Sequence, residues 1–175
     1  MHQPWINKSK LAIPAAPPAV LGRSPIPGAP PPVVILAAGP GYGKSVCLRG
    51  LATAEAPQGA ITLWYGLDPL DADPATFFHY LVAAVQRHIP AFGTEVLALL
   101  AGDRQDPRLL WQRWFQDLDA FNLPAVRLVL DDAHRAAATT VGSIVHLVQR
   151  GGSASLLVVL AAPLSGLAAQ RGWTA

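Results

Sequence analysis

A glycine-rich stretch of the chain has the residue types that bind phosphate groups. It reads Ala38-Gly39-Pro40-Gly41-Tyr42-Gly43-Lys44-Ser45, which matches G-x-x-x-x-G-K-[ST] with Ala38 in place of the first glycine. Glycines allow unusual backbone angles and close approach to a ligand. The amides of such a turn, with the positive end of the following helix, surround an anion. The predicted phosphate contacts are Gly39, Pro40, Gly41, Tyr42, Gly43, Lys44, Ser45 and Val46.

Two side chains of this loop and two later carboxylates predict a magnesium nucleotide site. Lys44 can reach the β- and γ-phosphates, and the Ser45 hydroxyl can ligate Mg²⁺. Asp131 and Asp132 follow the apolar run 128–130, at the carboxyl end of a predicted strand, where open α/β sheets place their ligands. We assign Asp131 to Mg²⁺ through water, and Asp132 to orienting or deprotonating the attacking water. A solvated helix cap is the alternative interpretation of this pair.

The elements that must position these residues are predicted from the apolar pattern. Strands are expected at residues 33–38, 61–65, 126–130 and 155–161. Helices are expected at residues 44–56, from 74 to before 90, at 94–100, from 107 onward, and after a cap at Thr139 or Thr140. Strands that alternate with helices favour a parallel sheet with helices on both faces. The predicted fold class is therefore α/β, a three-layer sandwich of the P-loop type.

The first 32 residues differ in composition from the rest. They contain nine of the seventeen prolines, which fix φ and remove backbone donors. We therefore predict a proline-rich extended leader at 1–32, without a long helix or an inner strand. The predicted ATP-binding domain covers 33–175.

Charge and composition exclude several classes of function. The leader holds Lys8, Lys10 and Arg23, three of the thirteen basic residues, so the remainder carries ten basic and eleven acidic residues. Because basic residues do not cluster, we predict no direct nucleic-acid contact. One cysteine, Cys47, suits a reducing compartment. No apolar stretch is long enough to span a bilayer and the start lacks a secretory pattern, so a cytoplasmic location is predicted.

Three stretches together resemble the large LuxR-type ATP-dependent transcriptional regulators typified by the maltose regulator, within the STAND class of signalling ATPases. The resemblance covers roughly residues 11–170. It is carried by the loop 38–45, by Ile61-Thr62-Leu63-Trp64-Tyr65-Gly66-Leu67-Asp68 with Asp71-Ala72-Asp73-Pro74 and Phe77 or Phe78, and by Leu128-Val129-Leu130-Asp131-Asp132-Ala133-His134. The middle stretch is the most specific to this family.

The resemblance implies a fold, a ligand and a role. It implies the strand order 1-4-3-2, because related ATPases place the Asp131-type strand beside a sensor strand that lies next to the loop strand. It implies ATP rather than GTP, which the lack of a guanine-reading motif weakly supports. In such proteins the domain is a switch, in which ATP and an inducer favour self-association and other domains contact DNA. The chain then looks like a truncated member, with a sheet that is incomplete at its C-terminus.

The sequence departs from the family at the fourth strand. Members have a Ser-Arg pair after it, whose arginine can sense the γ-phosphate, whereas Ala161-Ala162-Pro163-Leu164 occupies this position. We therefore expect slow ATP hydrolysis at most. Two other functions stay open: a small P-loop kinase, and a degenerate interaction module that no longer hydrolyses nucleotide.

Overall fold

The protein is described here from a computed structural model. It describes residues 6–15, 33–39, 41–55, 58–102, 106–123, 125–149 and 156–163.

Four parallel strands form one sheet in the described part of the chain. In chain order they are β1 Val33–Ala37, β2 Ile61–Gly66, β3 Val126–Asp131 and β4 Leu156–Ala162. Their order in the sheet is β1-β4-β3-β2, as predicted. At the carboxyl edge, Ala37 of β1 pairs with Ala162 of β4, and Gly66 of β2 pairs with Asp131 of β3. Strand β1, which leads into the glycine-rich loop, and strand β3, which ends at Asp131, thus end at the same edge.

Within the described segments, five α-helices connect the strands. They are α1 Lys44–Thr53, α2 Pro74–Gln86, α3 Thr94–Leu100, α4 Pro107–Asp119 and α5 Ala138–Gln149. The predicted caps at Asp73 and Asp106 are confirmed, since their side chains accept hydrogen bonds from the backbone N–H groups of Thr76 and Arg108. The described residues also form three short 3₁₀ turns, at Lys8–Leu11, Pro69–Ala72 and Ala133–Arg135.

The helices cover both faces of the sheet. Side chains alternate along each strand, so each face offers its own set of apolar residues for the helices to pack on. Residues of α1 pack with Trp64, Val129 and Val159 on one face. Helices α2 to α5 pack on the opposite face, in a larger core that contains Leu128 and Val158. The chain therefore leaves β1 toward one face and β3 toward the other. A crevice at the carboxyl edge is the expected result of such a divergence.

Two local predictions were wrong. Helix α5 begins at Ala138, so Thr139 and Thr140 lie inside it and cap nothing. Thr140 is fully buried, and its carbonyl accepts a hydrogen bond of 2.8 Å from the indole N–H of Trp111, which anchors this helix end on α4. Within the predicted extended leader, Lys8–Leu11 instead form a 3₁₀ turn, because the Asn7 side chain caps it and Leu11 enters the core. The rest of the leader, 1–5 and 16–32, lies outside the described residues.

In the segments that the structure describes, the helices are too short or too polar to cross a membrane.

Candidate functional site

The loop after β1 has the backbone form of an anion cradle. Gly41 and Gly43 adopt φ values of 79° and 74°, in the left-handed region that side chains disfavour. Gly43 is the N-cap of α1 and its carbonyl accepts the first helical bond from Cys47. Because the first amides of a helix have no partners within it, those of α1 are available to an anion at the loop.

Lys44 is held by the loop itself. Its ammonium donates to the carbonyl oxygens of Ala38 and Gly39 at 3.0 and 2.9 Å. A lysine ammonium has three donors, so two fix the loop around the side chain and one is left for a ligand. The charge therefore stays beside the N-terminus of α1, where an anion is favoured.

The two aspartates lie where β3 ends. Asp131 is its last residue, and one of its carboxylate oxygens accepts a 3.0 Å bond from the backbone N–H of Asp132. Asp132 has φ of 55°, so the chain turns sharply there into the 3₁₀ turn Ala133–Arg135.

A pocket of about 360 Å³ joins the loop to these carboxylates. Its volume is near the lower end of the range of ligand sites. Seven predicted site residues line it: Gly41, Gly43, Lys44, Ser45, Val46, Asp131 and Asp132. Gly39 and Tyr42 do not line it. The Tyr42 side chain is 81% exposed at the loop tip, and Pro40 lies outside the described residues.

The pocket raises the pKa of Asp131. Burial has the largest effect, and the nearby Asp132 carboxylate adds to it, while the Asp132 N–H and the Lys44 ammonium act in the opposite direction. The ionised carboxylate is therefore not fully compensated by the protein. A divalent cation at this position would supply the missing positive charge and favour the ionised form.

Two basic side chains flank Asp132. The Arg135 Nε lies 3.8 Å and the His134 Nδ1 3.9 Å from its carboxylate oxygens. Burial lowers the pKa of His134, as do the charges of Arg135 and Lys44, although Asp132 opposes them. His134 is therefore neutral at pH 7, and Arg135 is the charged neighbour of Asp132. Since Asp132 is 45% exposed, this pairing orients the carboxylate more than it stabilises the fold.

The residues present fit Mg²⁺ bound together with a phosphate. Within the described segments no group of three or more His, Cys, Asp or Glu side chains could hold a metal by itself. Mg²⁺ needs no such cluster, because it keeps several waters and binds through one or two carboxylates plus phosphate oxygens. Ser45 and Asp131 line the same pocket and offer a hydroxyl and a carboxylate. They would hold the ion, whose chemistry there would be to neutralise phosphate charge.

Sequence reasoning missed one arginine that positions the loop helix. Arg127 donates to the carbonyls of Ala52 and Ala54 at 3.1 and 3.2 Å, just at the end of α1. A cation at a helix C-terminus complements the helix dipole. Arg127 thus fixes the far end of the helix whose beginning forms the cradle. The signal was visible as one charged residue inside an apolar strand.

Sequence reasoning also missed a buried cluster of charged side chains beside β2. Asp71 is fully buried, and its carboxylate accepts bonds from the Lys10 ammonium and the Tyr65 hydroxyl, both at 2.5 Å, and from the Asp68 N–H at 2.7 Å. The Lys10 ammonium also lies 4.3 Å from the ring centroid of Tyr80. The cluster joins the N-terminal segment to the domain. Asp71 is part of the stretch that carries the family resemblance.

Comparison with models of known protein families gives no match, and no curated protein matches significantly. The fold and the pocket therefore carry the functional argument, together with the motifs in the sequence.

Proposed function

We propose that the chain binds ATP with Mg²⁺ in the pocket between the loop after β1 and the end of β3. One observation carries this proposal: Lys44, Ser45, Asp131 and Asp132 line the same pocket at the carboxyl edge of a parallel sheet. The loop supplies backbone donors and one ammonium to the phosphates. Opposite it, Asp131 supplies the carboxylate for the ion. These groups are 87 residues apart in sequence, counting from Lys44 to Asp131, and only the fold brings them together.

The sheet order supports this division of roles. Strand β4 lies between β1 and β3, so two strand spacings, about 10 Å in all, separate the loop strand from the aspartate strand. Such a gap leaves room for a terminal phosphate and a hydrated ion. In this arrangement Lys44 binds the β- and γ-phosphates and Asp132, oriented by Arg135, faces the water that attacks.

We further propose that the domain acts as an ATP-dependent switch of a LuxR-type transcriptional regulator. This part depends on the resemblance of the loop, of the β2 stretch and of the Leu128–His134 stretch, and on the strand order that the resemblance implies. Its partners would be a second copy or other domains of the parent protein, without direct nucleic-acid contact by this segment. Hydrolysis would be slow, since Ala161, Ala162 and Pro163 stand where a γ-phosphate-sensing arginine is expected.

Calorimetric titration of the purified chain with ATP tests the proposal. We expect saturable binding that Mg²⁺ strengthens and EDTA weakens, with GTP bound less tightly. A folded chain without affinity for ATP would contradict the proposal and favour the degenerate interaction module. Rapid transfer of phosphate to a small metabolite would favour the kinase instead.

A further inference from the structure

Residues 6–15, which we call the strap, pack against the edge strand β2 and helix α2. The 3₁₀ turn of the strap contacts β2. Leu11 is 4% exposed and belongs to the core that α2 covers. The Asn7 N–H donates to the Tyr80 hydroxyl at 3.1 Å, and the Arg87 guanidinium donates to the Leu11 carbonyl. This end of the strap is therefore fixed on one face of the sheet.

The other end of the strap is bonded to the opposite face. The Pro14 carbonyl accepts a hydrogen bond of 2.9 Å from Nε of Arg49. Arg49 belongs to α1, the helix that begins at Lys44 and forms the anion cradle. The strap thus crosses the β2 edge and connects α2 with the helix of the phosphate loop.

The middle of the strap is connected to the other wall of the pocket. The Lys10 ammonium lies 3.1 Å from the Asp68 carboxylate. Burial alone would raise the pKa of Asp68, but the Leu70 N–H, Lys10 and Arg135 together hold it below its ordinary value. Arg135 in turn lies 3.8 Å from the Asp132 carboxylate. The 3₁₀ turns Pro69–Ala72 and Ala133–Arg135 contact each other, so the segment that Lys10 holds lies against the turn that follows Asp132.

We propose that docking of the strap on the domain is coupled to nucleotide binding in the pocket. Docked, it holds α1 and the turn after Asp132 in the arrangement that binds phosphate, so docking of the strap and nucleotide binding favour each other. This inference rests on the proposed function. By thermodynamic linkage the effect is reciprocal: nucleotide must protect the strap to the degree that the strap strengthens binding.

Hydrogen exchange of the full chain measures this coupling. We expect ATP·Mg²⁺ to slow exchange of the amides in residues 6–15. Magnesium tripolyphosphate, which has no base, should slow it as well, because the coupling passes through the loop. Arg49→Ala should speed strap exchange without ligand and weaken ATP binding about 5-fold, the low end of typical couplings. Arg108→Ala, which removes an exposed arginine of α4, is the matched control and should change neither.

The results of these experiments distinguish a failure of the coupling from a failure of the proposed ATP binding. ATP binding with unchanged strap exchange overturns the coupling and leaves the proposed function standing. Protection by ATP but not by tripolyphosphate also overturns it, in favour of direct contact between the strap and the nucleoside. No ATP binding by the folded wild-type chain overturns the proposed function and the coupling together.

Discussion

Replacing Lys10 by methionine isolates the buried charge cluster beside β2. The change keeps most of the side-chain stem and removes the ammonium that lies 2.5 Å from the Asp71 carboxylate. The Lys10 side chain is 10% exposed and that of Asp71 is fully buried, so water cannot replace the lost charge. Asp71 keeps two hydrogen bonds, from the Tyr65 hydroxyl and from the Asp68 N–H.

The expected loss of stability in Lys10→Met depends on the Asp71 carboxylate, which stays buried without its cation. Removing one partner of a buried ion pair destabilises a protein by about 3–5 kcal/mol, because the other charge stays buried without compensation. The two remaining hydrogen bonds to Asp71 place the expected loss at the lower end, about 3 kcal/mol. With a urea slope of about 2 kcal/mol/M, the unfolding midpoint should fall by about 1.5 M. That is a large part of the total stability of a domain.

Urea unfolding followed by tryptophan fluorescence is the assay. Lys8→Met is the matched control, since Lys8 is exposed in the same 3₁₀ turn and should change stability by less than about 0.5 kcal/mol. Asp71→Asn should destabilise less in the Lys10→Met background than in the wild type, because the two changes share one interaction. A Lys10→Met protein as stable as the wild type, or strictly additive losses, would refute the reasoning.

Three further predictions concern the pocket. Asp131→Ala should weaken the Mg²⁺ dependence of ATP binding more than Asp132→Ala does, and the reverse ranking in metal titrations would exchange their roles. Because its native pKa is raised, Asp131 lowers the stability of the ligand-free fold as pH rises through that pKa; Asp131→Asn should therefore unfold at higher urea than the wild type at pH 8, and equal or lower stability contradicts the raised pKa. The isolated chain should hydrolyse ATP well below about 1 s⁻¹ in single-turnover assays, since an arginine at the γ-phosphate can contribute about 10³-fold or more. Turnover near 1 s⁻¹ would show that another group, such as Arg135, takes that role.

The sheet and its order could be predicted because they depend on local signals. Apolar runs bounded by glycine and proline define buried strands, and each strand lies within about one residue of its predicted limits. The Asp-Pro pairs at residues 73 and 106 gave correct helix starts because a capping side chain acts on its own helix. The start of α5 was misplaced, since Thr139 and Thr140 lie inside the helix, where Thr140 is buried and bonded to Trp111 of another helix.

The pocket and its surroundings were predicted only in part, because local signals do not show contacts between residues distant in sequence. Motif spacing identified the loop and the two aspartates, which the fold brings to one pocket. The strap depends on contacts between residues distant in sequence, such as Lys10 with Asp71 and Pro14 with Arg49. Before folding, each of these residues looks like an ordinary part of a polar or proline-rich segment. Their partners become known only from the tertiary structure.

Paired calorimetric titrations of the wild type and Lys44→Ala with ATP·Mg²⁺ test the central claim most directly. Charge-assisted contacts of this kind contribute about 1.5–3 kcal/mol, so affinity should fall roughly 10- to 150-fold and pass out of the measurable range if the wild type binds weakly. Arg108→Ala, which removes an exposed positive charge outside both the pocket and the strap, should leave affinity unchanged, and urea unfolding should show that both variants are folded. Equal ATP affinity in the wild type and Lys44→Ala would contradict the assignment of this loop as the phosphate site.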